Sequence, residues 1–125
     1  MGVSYTIEEG VVVFVLEGQN TVKQAEEAFR EAFTDPAPGF FSILIDARKS
    51  LRHRDLSEVS LFAELLTTYR GHIKGRAALV MDENRPKSME LERRLAGFSI
   101  REKIEFALFY DIALARDWIK EATAI

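Results

Sequence analysis

Two aspartates, Asp46 and Asp82, each close a short apolar run, and the densest basic stretch of the chain follows the first of them, with Arg48, Lys49, Arg52, His53 and Arg54 inside nine residues. Carboxylates brought together at the ends of neighbouring strands can move a proton or hold a hard cation. Their commoner role is to cap the loops that follow. A basic segment beside a helix N-terminus favours an anion, such as a phosphate headgroup, an acidic partner or an anionic lipid. The plainer alternative is a solvated loop paired with nearby carboxylates. Nucleophilic chemistry has thin support. His53, Asp55 and Ser57 are near one another in sequence, but a triad needs a group that orients the base from elsewhere in the fold. His72 is the only other histidine and there is no cysteine, so His-rich or Cys-ligated metal sites and thiol catalysis are excluded. No glycine-rich phosphate loop is present. No cofactor and no metal are expected, no catalytic residue stands out, and a hydrolase is the weakest of the functional alternatives.

These residues need elements to hold them. Residues 40–46, Phe-Phe-Ser-Ile-Leu-Ile-Asp, form a run of aromatic and branched side chains bounded by Gly39 and the charged segment 47–55. A short run that is apolar on both faces predicts a fully buried central strand. Open α/β sheets carry their functional groups beyond the carboxyl ends of such strands, which is where Asp46 falls. Residues 5–8 and 11–16 predict two strands joined by the Glu9-Gly10 turn, hence an antiparallel hairpin. Thr21 and Gln24 form a capping box that opens a helix, with Val22, Ala25, Phe29, Ala32 and Phe33 on its inner face. A second helix is predicted over about 57–70, and a strand over 77–81 that ends on Asp82. Pro86 suits a first helical turn, Gly97 a helix stop, 104–109 a last strand, and Asp111 the cap of a final helix with Leu114, Ala115, Trp118, Ile119 and Ala122 inward. The order ββαβαβαβα predicts an α/β fold, a mixed and mostly parallel five-stranded sheet with four helices and right-handed crossovers.

The length of 125 residues suits one domain, residues 1–125, with 47% hydrophobic and 30% charged residues, enough to fill a core without disulfides. A net charge of -3 argues against a general nucleic-acid partner. The N-terminus lacks a basic region followed by an apolar run, and no apolar run approaches the length of a membrane span, so a cytoplasmic protein is expected.

The motifs Ile43-Leu44-Ile45-Asp46-Ala47-Arg48, Ala78-Leu79-Val80 before Asp82, and Phe109-Tyr110-Asp111 with Ala115 and Trp118-Ile119 resemble the SpoIIAA-like group of STAS-type domains, whose fold class is shared with CRAL-TRIO lipid-binding domains. The resemblance covers nearly the whole chain. It implies a regulatory or ligand-binding domain without an agreed enzymatic activity. In STAS domains that antagonise anti-sigma factors, a phosphorylatable serine lies in an Asp-Ser-Ser-Gly-Leu motif after the central strand. Asp55-Leu56-Ser57-Glu58-Val59 places Ser57 at that serine, with Leu56 and Glu58 where the motif has serine and glycine. Read from the residues alone, Ser57 is a helix cap, since a serine before an amphipathic helix bonds its first free amides, and Asp55 can serve as the cap instead. Phosphorylation is the alternative, tolerated by the helix dipole and opposed by Glu58.

The second helix carries Val59, Phe62, Ala63, Leu66 and Tyr69 on one face, and Leu61 and Leu65 widen that face beyond the stripe one core requires. Neighbouring helices covering it on both sides would account for this. An exposed outer flank would instead serve a dimer, a membrane or an apolar ligand. The expected working surface is therefore Asp46, Asp82, Arg52, His53, Arg54 and Ser57 with Leu61 and Leu65. Its expected role is a non-catalytic regulatory or binding module for a protein partner. The alternative is a carrier of a small apolar or lipid-like ligand with reversible, peripheral membrane contact. A homodimer is open in either case.

Overall fold

The computed structural model describes residues 2–8, 10–19, 21–34, 41–50, 56–82 and 89–123; the side chains at 22, 41, 56–61, 72, 74, 75, 89–92, 122 and 123 fall outside that description. Strands β1 (Gly2–Glu8) and β2 (Val11–Gly18) form the antiparallel hairpin, turned at Gly10 with φ +80°. Helix α1 (Val22–Thr34) follows, then β3 (Phe41–Ser50), α2 (Leu56–Thr68), a 3-10 turn (Arg70–His72), β4 (Ile73–Val80), α3 (Met89–Glu102), β5 (Glu105–Phe109) and α4 (Ile112–Thr123). The sheet runs β1-β2-β3-β4-β5, with every pair parallel after the first. This is the mixed five-stranded α/β domain with four helices that the alternation of patterns predicts, with β3 at its centre.

Because the strand order advances in one direction, right-handed crossovers place all the intervening helices on one face. The larger core cluster accordingly joins Ala25 and Phe29 of α1, Phe62 and Leu66 of α2, and Leu95 and Phe98 of α3 to Phe14, Ile43, Ile45 and Leu79 of the sheet. Phe14 and Phe29 stack with centroids 4.1 Å apart at its centre. The opposite face has a smaller cluster, Val13, Leu44, Ala78 and Val80 under Ala115 and Ile119 of α4. Ile43, Leu44 and Ile45 are all fully buried, as a strand covered on both faces requires.

The helix starts are held as their residues suggest. Gln24 N–H donates to Thr21 Oγ1 at 3.1 Å, and Thr21 N–H donates back to Gln24 Oε1 at 2.9 Å, a complete capping box. Asp111 Oδ1 accepts the amide of Ala113 at 2.8 Å and caps α4.

Four expectations are corrected. β3 does not end at Asp46: Glu17 and Gly18 of β2 pair with Lys49 and Ser50, so ladder pairing carries the strand through charged residues. β4 begins at Ile73 rather than 77, paired there with Phe41, and the charge of Arg76 within it is met by Glu105 at 2.6 Å. Gly97 does not stop α3, which runs on to Glu102 and ends where Lys103 takes a left-handed backbone, φ 58°. Leu114 does not pack inward but is 59% exposed, because α4 turns the stripe with Ala115 and Ile119 to the sheet.

Candidate functional site

Asp46 sits where β3 is still paired on both sides, opposite Val15 of β2 and Val80 of β4, and it is buried. Among the described residues its carboxylate is held by Arg48 alone. Oδ1 accepts the Arg48 amide at 3.1 Å and Arg48 Nε at 2.9 Å, and Oδ2 accepts Nη2 at 2.9 Å. Burial pushes the carboxyl up. The hydrogen bonds from the Arg48 side chain and amide, with the positive charges of Arg48 and Lys49, outweigh it and hold the Asp46 pKa below its ordinary value. The same hydrogen bond raises the Arg48 guanidinium against the smaller opposing effect of its burial. The carboxylate is thus kept ionised and its acceptor sites are turned to Arg48, two residues further along the same strand.

Asp82 lies two residues past the end of β4 and lines a cleft of about 360 Å³ with Arg48, Tyr110, Asp111 and Ile112. Asp46 does not itself line the cleft, but Arg48, which holds its carboxylate, does. Asp111, also on the cleft, caps α4. Among the described residues no three His, Asp or Glu side chains are grouped to hold a metal ion.

Arg52, His53, Arg54 and Asp55 lie outside the described residues. Ser57 falls in the first turn of α2, one residue past its start at Leu56; the Ser57 side chain lies outside the description, as does that of Leu61. Leu65 is buried at 8% exposure within the main core cluster. The expected outer apolar flank is corrected at this position: α2 lies between α1 and α3, which cover it on both sides.

What the residues of α2 and α3 do build is a groove of about 820 Å³ between them. Ala63, Glu64, Thr67 and Thr68 form the α2 wall, Arg94, Gly97 and Arg101 the α3 wall, and Leu95 and Phe98 reach it from the core. Positions 94, 97 and 101 share one strip of the helix, spaced i, i+3, i+7. Arg101 and Arg94 are exposed and have no ion-pair partner among the described residues, and neither does Arg93 on the same rim. Glu102, which also lines the groove, is held by Arg70, which donates to the Glu102 backbone carbonyl and to Glu102 Oε2, the latter at 2.6 Å. At Gly97 a Cβ would meet nothing within 4 Å, so the groove has open space where a side chain would stand.

Sequence reasoning missed this groove. The signal was available in Arg94, Gly97 and Arg101, but reading Gly97 as a helix end splits the strip in two.

No family model matches the sequence, and no curated protein matches it. A solved structure does. The chain superimposes on an uncharacterised protein of the DUF3478 family from Shewanella loihica PV-4 with a TM-score of 0.61, covering 94% of each chain at 19% identity. The fold is SpoIIAA-like. At that identity the SpoIIAA-like resemblance reaches the backbone and no side chain of the site. No helix among the described residues is long and apolar enough to cross a membrane.

Proposed function

We propose that this SpoIIAA-like domain is a non-catalytic binding module and that the α2–α3 groove is its working surface. The observation that carries the reading is Gly97. Glycine inside a helix is less favourable than alanine by about 1 kcal/mol, and here it stands mid-helix, with the helix running five residues past it, facing open space between two arginines without an ion-pair partner among the described residues. A residue that weakens the helix and opens the groove is explained by an occupant. The groove lies on the α3 side of α2.

A second reading, a carrier of a small apolar ligand, draws on the groove's size, which is in the range of small-molecule sites, and on the apolar Ala63, Leu95 and Phe98 at its base.

The test is affinity capture from the native host with wild-type protein and Gly97→Leu side by side, read by native mass spectrometry. Leucine is a good helix former that plugs the groove, so the expected result is a protein or small molecule retained by wild type and lost from the variant. A species held equally by both would move the working surface elsewhere. Turnover of a substrate that survives the plug would overturn the non-catalytic reading.

A further inference from the structure

The α3 wall of the groove has a charge pattern more specific than its volume. On a chain of net charge -3, it gathers Arg93, Arg94 and Arg101, none of them in an ion pair among the described residues. Facing them is the carboxylate of Glu64; the other groove carboxylate, Glu102, is already tied to Arg70. Arg94 and Arg101 are two helical turns apart, about 10 Å along the axis. That separation is too large for one phosphate or carboxylate to join them. It suits two anionic groups held at the same spacing, which a partner helix provides with acidic residues at i and i+7. Between the arginines, Gly97 leaves room for a side chain of the occupant to descend toward Phe98. The α2 wall offers little polar competition. Thr67 Oγ1 donates to the Ala63 carbonyl at 3.1 Å and Thr68 Oγ1 to the Glu64 carbonyl at 3.0 Å, so both hydroxyl protons are turned back on their own helix. Glu64 would repel a carboxylate on that side and so fixes which face of the occupant turns to α3.

From these features we infer that the groove docks an acidic amphipathic helix of a partner protein. Two of its carboxylates, seven residues apart, engage Arg94 and Arg101, and an apolar side chain between them lies over Gly97. This rests on the groove being the working surface.

The experiment selects helical peptides from a displayed library of about four turns' length on wild-type protein, then measures the best binder by fluorescence anisotropy on wild type, Arg94→Glu/Arg101→Glu and Gly97→Leu. Vesicles rich in phosphatidylglycerol are run in parallel. The expected binders carry Asp or Glu at i and i+7 around an apolar residue. Their affinity falls about tenfold or more in both variants and falls with added salt, because the arginines are exposed. Gly97→Leu keeps the test clear of misfolding, since leucine is the better helix former and circular dichroism should show a Tm no lower than wild type. Binders that lose affinity for Gly97→Leu but lack the acidic pair and ignore the arginine reversal would leave the groove standing and overturn its acidic occupant. Binders indifferent to both variants would overturn the groove itself. Wild type that attaches to the vesicles, loses attachment on arginine reversal and selects no acidic peptide would replace the partner helix by an anionic membrane.

Discussion

Removing the Arg76 side chain should loosen α4 from the sheet. Arg76 projects from β4 under the C-terminal half of α4, with its side chain 21% exposed. Its Nη1 donates to the Trp118 carbonyl, its guanidinium lies 4.8 Å from the centre of the Trp118 ring, Nε reaches Glu105 at 2.6 Å, and Nη1 is 3.5 Å from Glu121. These contacts differ in worth. Glu105 and Glu121 are 60% and 71% exposed, so each ion pair contributes between zero and about 1 kcal/mol and is weakened by salt. The charge-assisted bond to the carbonyl contributes about 1.5–3 kcal/mol when desolvated, and the low end applies at this exposure. The ring contact adds about 0.5–1 kcal/mol. Arg76→Ala should therefore cost about 2–3 kcal/mol, or roughly 10 °C in Tm for a domain of this size. Arg76→Lys should fall between, because lysine keeps the charge without the planar fork. Urea melts read the total. Hydrogen exchange reads its location: amides of α4 should exchange faster in the variant, while those of β3 change only with global stability. Most of the loss should survive in 0.5 M salt, since at a Debye length of about 4 Å only the exposed ion pairs are screened. A loss under about 0.5 kcal/mol, or one abolished by salt, would refute the assignment of Arg76 as the bond between α4 and the sheet.

Ile45, fully buried at the sheet centre, should lose about 2–5 kcal/mol on replacement by alanine; a loss below about 1 kcal/mol in denaturant melts would contradict its central place. Thr21→Ala breaks the capping box of α1 and should cost about 1 kcal/mol, whereas Thr21→Ser should be nearly neutral by the same melts. Asp46 has a lowered pKa in the folded state, so its contribution is present above the unfolded aspartate value of about 3.9 and is lost as pH falls through the lower folded value. The gap in urea midpoint between wild type and Asp46→Asn should accordingly be full at neutral pH and close on acidification below about pH 4; a gap that stays constant down to pH 2 would show that the ionised carboxylate is not what stabilises β3 at this position.

The amino-acid sequence determined the layer structure. Alternation of buried strands with amphipathic helices is a local property, and so is a cap: Thr21 with Gln24 and Asp111 before Ala113 each work within one turn, so residue type and spacing suffice to find them. The run 40–46 announced a buried strand for the same reason. What lay beyond local patterns was decided in three dimensions. β3 continues through Lys49 and Ser50 because β2 runs beside it, and no feature of those residues reveals that neighbour. Leu65 reads as surplus on a single helix and is buried because α2 has a helix on each side. Gly97 reads as a helix end, since glycine is unfavourable in a helix interior; only the separation of α2 from α3 shows the space it opens. The distance between two helices depends on every side chain packed beneath them, on both elements and on the sheet. A groove is therefore a property of the assembled core, and the spacing of Arg94 and Arg101 along the chain acquires its meaning only once that groove exists.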